Sequence, residues 1–274
     1  MRRSGATTLL PVWPGLYGQV MPVEDFAVLA HGDPLAVELT QVIHTGDLAR
    51  LQSMLSERPT LALVRMIGRH GVDGGWRTPL LAAADWPGYF PAAPAVVAIL
   101  VAAGADPNVD SGGERPETPL HWAASSDDRD VAVALIDAGA DLERPGGSIG
   151  TPLDNAIGYA CWNVARLLVE RGARVDVLWH AAALGDLARL EELVADQGDS
   201  EQISKAFWHA CAAAQRRAAE CLLGHGADLN WVPEYAEGTP LDTANGSDTR
   251  RDNVISWLRD LGARSSRTDN ERES

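Results

Sequence analysis

Positive charge is scarce. Asp and Glu number 38 against 23 Lys and Arg, giving a formal net charge of −15 and a pI of about 4.8. Nucleic acids and anionic membranes are held by basic surfaces, so neither is an expected partner; the acidity reads as a solubility device. Cysteine is scarce too. Cys161, Cys211 and Cys221 show neither CxxC pairing nor metal-ligand spacing. They read as reduced packing residues, which fits a cytoplasmic protein, and neither a metal nor a cofactor is expected. Long apolar runs are missing. The most apolar stretch, residues 92–105, is too short to span a bilayer and reads as the second helix of a helix pair. After Met1-Arg2-Arg3, the residues Pro11, Pro14, Gly15 and Gly18 interrupt any leader-like run, so no signal peptide is expected, and Met21 is an alternative start. No phosphate-cradling glycine loop, nucleophile elbow or zincin helix occurs. Gly74-Gly75 and Gly112-Gly113 are turn glycines. Phe occurs three times, whereas Trp occurs nine times.

What is present is repetition. Thr118-Pro119-Leu120-His121-Trp122-Ala123-Ala124 opens a short helix: Thr118 caps it, and Pro119 suits the first position because its missing N–H would be unpaired there. Leu120, Ala123 and Ala124 share one face at helical spacing. After a polar break, Val131, Leu135 and Ile136 mark the buried stripe of a second helix, and Gly139 stops it. The pattern restarts 33 residues later at Thr151-Pro152-Leu153 and stops at Gly172-Ala173. Other copies start at Thr78-Pro79-Leu80 and Thr239-Pro240-Leu241 and stop at Gly104-Ala105 and Gly262-Ala263. A unit around Phe207-Trp208-His209-Ala210 stops at Gly226-Ala227. Leu178-Trp179-His180-Ala181-Ala182, with residues 187–194, forms one without the usual stop. A helix pair this small cannot bury its own apolar face, so copies must stack.

Four Thr-Pro-Leu starts and five Gly-Ala stops in register resemble the ankyrin repeat, whose period is about 33 residues with a T-P-L-H-x-A signature. The resemblance implies an all-α solenoid of about six to seven helix-turn-helix units with finger loops. It divides the chain into an irregular segment 1–33, a repeat domain 34–264 opened by a capping helix pair, and a disordered tail 265–274. Residues 60–77 read as a long connection, and 89–94 as a proline-rich loop. The wording of the repeats is also similar to short actinobacterial ankyrin proteins, which implies a bacterial, cytoplasmic protein and supplies no activity.

In that family the first helices and finger loops line a concave surface. Carried over residue by residue, the position after the T-P-L-H motif holds Trp122, Asn155, His180 and His209. Positions after the alanine pair hold Asp85, Trp86 and Tyr159, and loop positions hold Trp76, Arg77, Trp231 and Tyr235. These are the candidate binding residues, because indoles anchor interfaces through a large apolar face and one N–H. Trp179 and Trp208 replace the motif His and are expected in the core, as are Trp162 and Trp257. His121 matches the motif His and is expected to bond turn backbone and the Thr hydroxyl. Asp127 and Asp128 read as a solvated helix start. His180 and His209 follow a Trp in consecutive units and are expected to share one patch near Asp154. Were the chain an enzyme, His180, His209 and Asp85 would be its acid–base groups. Two functions stay open: a monomeric scaffold binding another protein, with a basic or mixed-charge partner favoured, and a binder of a small aromatic or apolar ligand, or an atypical enzyme. An open groove favours the first and a closed pocket the second.

Overall fold

A computed structural model describes residues 27–30, 32–68, 75–245 and 248–266. Within them the chain forms seven helix pairs: α1 (Pro34–Thr45) and α2 (Leu48–Glu57), α3 (Pro79–Ala83) and α4 (Ala93–Ala102), α5 (Pro119–Ser125) and α6 (Arg129–Asp137), α7 (Pro152–Gly158) and α8 (Trp162–Glu170), α9 (Leu178–Leu184) and α10 (Leu187–Gln197), α11 (Ser200–Ala212) and α12 (Arg216–Gly224), α13 (Pro240–Thr243) and α14 (Thr249–Asp260). First helices pack on first helices in unbroken succession from α1 to α13. Alanines make that close approach feasible: Ala83, Ala84, Ala123, Ala124, Ala156, Ala181, Ala182 and Ala210 are all buried between neighbouring units.

The Thr-Pro starts work as the sequence suggests. Thr151 and Thr239 form capping boxes with Asp154 and Asp242, and Thr118 forms one with His121. His121 is fully buried: Nδ1 meets the Thr118 hydroxyl at 2.8 Å and Nε2 the Gly150 carbonyl at 3.0 Å. It ties one unit to the turn of the next. Asparagine and glutamate do the same between finger loops. Asn108 Nδ2 donates to Gly139 O, Asp141 N donates to Asn108 Oδ1, Arg174 N to Glu143 Oε1, and Arg264 N to Asn230 Oδ1.

Several features depart from the sequence reading. The connection 60–77 holds a 3-10 turn (Pro59–Leu63), a strand β2 (Arg65–Ile67) and a strand β3 (Trp76–Arg77). A further strand β1 (Val28–Leu29), inside the segment read as irregular, pairs parallel with β2, and β3 pairs antiparallel with it. The helical solenoid thus carries a small three-stranded sheet; strands of two or three residues are too short to show alternation. Residues 1–26, 31, 69–74, 246–247 and 267–274 lie outside the described residues, and with them the alternative start at Met21 and most of the expected tail. Where described, that tail is still tied in: Ser265 Oγ donates to Asp242 Oδ1, and Ser266 N and Oγ donate to Asp242 Oδ2.

The Asp127–Asp128 pair is not a solvated start. Asp128 is buried; it caps α6 through Val131 N and accepts the Tyr89 backbone N–H. Asp127 caps a different helix. Its Oδ1 accepts the N–H groups of Asn163 and Val164 at 3.0 Å each, at the start of α8, whose own N-cap residue Cys161 makes no side-chain cap bond. Phe90, from the 89–94 loop, stacks on His44 with ring centroids 4.0 Å apart. Together with the Tyr89 bonds, this pins the loop to both neighbouring units. Among the described residues no helix is long and apolar enough to cross a membrane.

Candidate functional site

The candidate residues fall into two clusters and several outliers. The first cluster lies where β3 and the finger loop 108–117 meet α5. Trp76 stands at the edge of the sheet. Its backbone N–H donates to Ser111 O, and its ring lies so close over Gly112 that a β-carbon there would sit 2.5 Å from it. Gly112 adopts φ +63, so glycine is required twice over. The Arg65 guanidinium lies 4.5 Å above the same indole, and the buried Nε1 has no hydrogen-bond partner among the described residues. Around it opens a hollow of about 590 Å³ lined by Met66, Trp76, Arg77, Gly112, Arg115 and Trp122. Arg77 is ion-paired with Asp85. Two indoles far apart in sequence thus face one space, with arginines at its rim.

The second cluster follows α7, α9 and α11. Asn155 is fully buried. Its Nδ2 donates to Glu117 Oε1 at 2.9 Å and Ser125 Oγ at 3.1 Å, and its Oδ1 is left without a partner. His180 Nε2 donates to Asp154 Oδ1 at 2.9 Å. Asp154 Oδ2 also accepts the Thr151 N–H and hydroxyl. Burial pushes the Asp154 pKa up, but the hydrogen bonds from His180 and Thr151 outweigh it and hold the carboxyl below its ordinary range. His180 Nδ1 is buried and has no hydrogen-bond partner among the described residues.

Beside His180, the Trp179 ring lies 4.7 Å from that of His209, and His209 Nε2 meets the Tyr235 hydroxyl at 2.9 Å. Burial, then the nearby Lys205 charge, then His180 push the His209 pKa down to about 3, so its imidazole is neutral near pH 7. Burial of its hydroxyl against His209 pushes the Tyr235 pKa up to about 12, although the rest of the ring is exposed. Trp208 braces this arrangement by donating Nε1–H to Gly238 O at 2.8 Å.

The structure therefore joins His180, His209 and Tyr235 into one chain of contacts through Trp179, and Trp76, Arg77, Asp85 and Trp122 into another; Asn155 bonds instead to Glu117 and Ser125. Asp85 does not reach the two histidines; the carboxylate beside them is Asp154. Trp86 and Tyr159, 77% and 57% exposed, stand apart at the ends of α3 and α7, and Trp231 is half-buried in its loop. Trp179 is buried as expected. Trp162 and Trp257 are half-buried against the core, and Trp208 is half-buried against the loop that carries Tyr235 and Gly238. Lys205 escaped the sequence reading. Its signal was compositional: it is the single lysine in the chain.

Nucleophilic chemistry finds little support. Burial, with Asp127 adding to it, pushes the Cys161 thiol up to about 11, and burial raises Cys211 further; neither yields a thiolate near neutrality. Among the described residues no three His, Cys, Asp or Glu side chains gather as a metal site.

Comparison with known proteins bears on the fold. Residues 80–177 match the family model described as ankyrin repeats (3 copies). A 61-residue stretch is 39% identical to the human transient receptor potential cation channel subfamily A member 1, spanning 22% of this chain and 6% of that protein's length. Two solved structures are similar at 24% identity. One is the ankyrin repeat domain of Bcl-3, described as a unique member of the IkappaB protein family; the likeness covers 84% of this chain and 99% of that one, with TM-score 0.47. The other is the human ASB11 ankyrin repeat domain, covering 69% and 85%, with TM-score 0.41.

Proposed function

We propose, on the premise that residues 80–177 belong to the ankyrin-repeat family, that the chain binds another protein along its row of first helices and finger loops. Ankyrin repeats are protein-interaction modules. The observation that carries the reading here is the hollow between Trp76 and Trp122. It is open at its rim, walled by two indoles and bordered by Arg77 and Arg115, which is the make-up of an interface anchor pocket. The proposed binding surface runs from that hollow to Tyr235, over the buried Asn155, His180 and His209 that shape it from beneath, with Trp86, Tyr159 and Trp231 as flanking contacts. The chain's acidity favours a partner of mixed charge with basic segments. The same reading makes the protein a cytoplasmic monomer of a bacterial cell; its three cysteines are unpaired, as suits a reducing compartment.

Site-specific photo-crosslinking tests this. A benzophenone side chain is placed at Trp122, on the first-helix face, and separately at the exposed Arg217, on α12. Expected is one dominant crosslinked protein from position 122 and none from 217. Equal, diffuse labelling from both positions would remove the reading. A second reading keeps one observation in its favour: about 590 Å³ is also the size of a small-ligand site. Native mass spectrometry of the freshly purified protein decides it, since a retained small aromatic molecule adds a discrete mass that Trp122→Ala loses.

A further inference from the structure

A notch of about 90 Å³ lies where α8, the end of α9, the corner between α11 and α12, and the start of α14 meet. It shares no lining residue with the hollow at Trp76. Trp162 and Leu184 give it an apolar wall, and Arg166, Arg250, Arg251 and Asp248 give it charge. Arg251 is half-buried and held in place. Its Nη1 donates to Ala212 O at 3.0 Å and to Asn245 O at 3.2 Å, and its Nε lies 3.3 Å from Asp248 Oδ2. Its Nη2 makes no hydrogen bond among the described residues. Asp248 is occupied, since its Oδ1 accepts the backbone N–H groups of Arg250 and Arg251. Arg166 and Arg250 are exposed, and among the described residues neither guanidinium pairs with a carboxylate. Glu170, one turn beyond Arg166 and well placed by spacing to pair with it, lies 3.8 Å from Arg129 instead.

Three guanidinium groups against one carboxylate leave the notch with an excess of two positive charges, in a chain whose net charge is −15. Charge and size together select the occupant. A carboxylate brings one negative charge, whereas a phosphoryl group brings about −1.5 to −2 near neutral pH and three acceptor oxygens. The space equals about three water molecules at roughly 30 Å³ each, so it admits one tetrahedral oxyanion and leaves a sugar or a base outside. Arginine is the side chain whose forked donors match such oxygens. We propose that the notch binds a single phosphoryl group, free or borne by a larger molecule. Arg251 is the fixed donor, and the longer reach of the exposed Arg166 and Arg250 closes on the remaining oxygens. Trp162 and Leu184 keep water from one side, which strengthens each charged contact. The inference does not rest on the scaffold reading.

Selective ¹⁵N labelling of arginine tests this on the full chain, because each guanidinium Nε–H gives its own resonance and single variants assign them. The probes are inorganic phosphate, the peptide acetyl-Ala-phosphoserine-Ala-amide, its unphosphorylated form, and acetate, all at one ionic strength. Inorganic phosphate is expected to shift the Arg166, Arg250 and Arg251 resonances saturably, with half-saturation at about 1–10 mM as befits so small a ligand. Acetate should bind at least about tenfold more weakly. Arg166→Gln and Arg250→Gln should each weaken phosphate at least about fivefold while keeping the wild-type melting curve, whereas Arg58→Gln, on α2's far end, changes nothing. A phosphopeptide at least about tenfold tighter than inorganic phosphate assigns the group to a phosphorylated polypeptide, and equal affinity assigns it to the free ion. Acetate within about twofold of phosphate, no saturation by about 50 mM, or equal shifts at every arginine of the chain overturns the site. The crosslinking result bears on none of these outcomes, so the two readings fail separately.

Discussion

Trp86, at 77% exposed, and Trp179, at 9%, show how far environment decides what one side chain does. Trp179 packs between His180, His209 and the lysine, so Trp179→Ala should cost about 3–5 kcal/mol of stability in urea melts. Trp86→Ala should change stability by less than about 0.5 kcal/mol, while weakening capture of the crosslinked partner about 30-fold, or about 2 kcal/mol. A loss near that of Trp179 would instead mark Trp86 as structural. His209 carries a pH dependence. Its folded pKa is about 3, whereas an unfolded histidine titrates near 6.5. Above pH 6.5 both states are neutral there and the group is silent. As pH falls below 6.5 the unfolded state takes up a proton that the folded state refuses, so stability drops on acidification towards pH 3. Between pH 7.5 and pH 5 this amounts to about 2 kcal/mol. His209→Gln should flatten that part of the urea-midpoint profile, and an unchanged slope would show that the imidazole titrates normally in the folded protein.

At the scale of the helix, Asp127 is the informative residue. It adopts φ +54, a conformation costly for most side chains, and from there caps α8 of the following unit. Asp127→Ala should cost about 1–2 kcal/mol, and Asp127→Asn clearly less, since asparagine tolerates the conformation and keeps an acceptor oxygen. Differential scanning calorimetry of both variants would show it; equal losses would mean that the charge, not the cap, matters. This contact also marks where sequence reading stops. Thr-Pro starts and Gly-Ala stops act within one unit, so spacing alone reveals them, and the helix pairs stand where those signals put them. The Asp127 cap and the burial of Asp128 beneath Tyr89 join separate units, and nothing local in Asp-Asp announces them. The sheet was hidden by its brevity. Of the candidate site, the row Trp122, Asn155, His180 and His209 was legible because it recurs at one repeat position. The split into two clusters was not, because it depends on which loop folds over which helix: 108–117 over Trp76, and 231–238 over His209.

For the whole molecule, neighbour-only contacts mean that stability need not be uniform along the stack. The last pair is the weakest by its burial: α13 buries Pro240 alone, and α14 only Val254 and Leu258. In hydrogen exchange, amides of α13 and α14 should open first, well before those of α5 to α8, and a single uniform exchange rate would point to all-or-none unfolding instead. The opposite end is built differently. Val28–Leu29 and Arg65–Ile67 flank the first helix pair in sequence and lie side by side in the sheet. That makes α1 and α2 a clasped buckle whose two straps are fastened to each other. A single backbone cut at the Gly46–Asp47 corner would leave each half gripping the other through ladder bonds and packed helices. The nicked chain should elute from gel filtration as one particle and come apart only in denaturant.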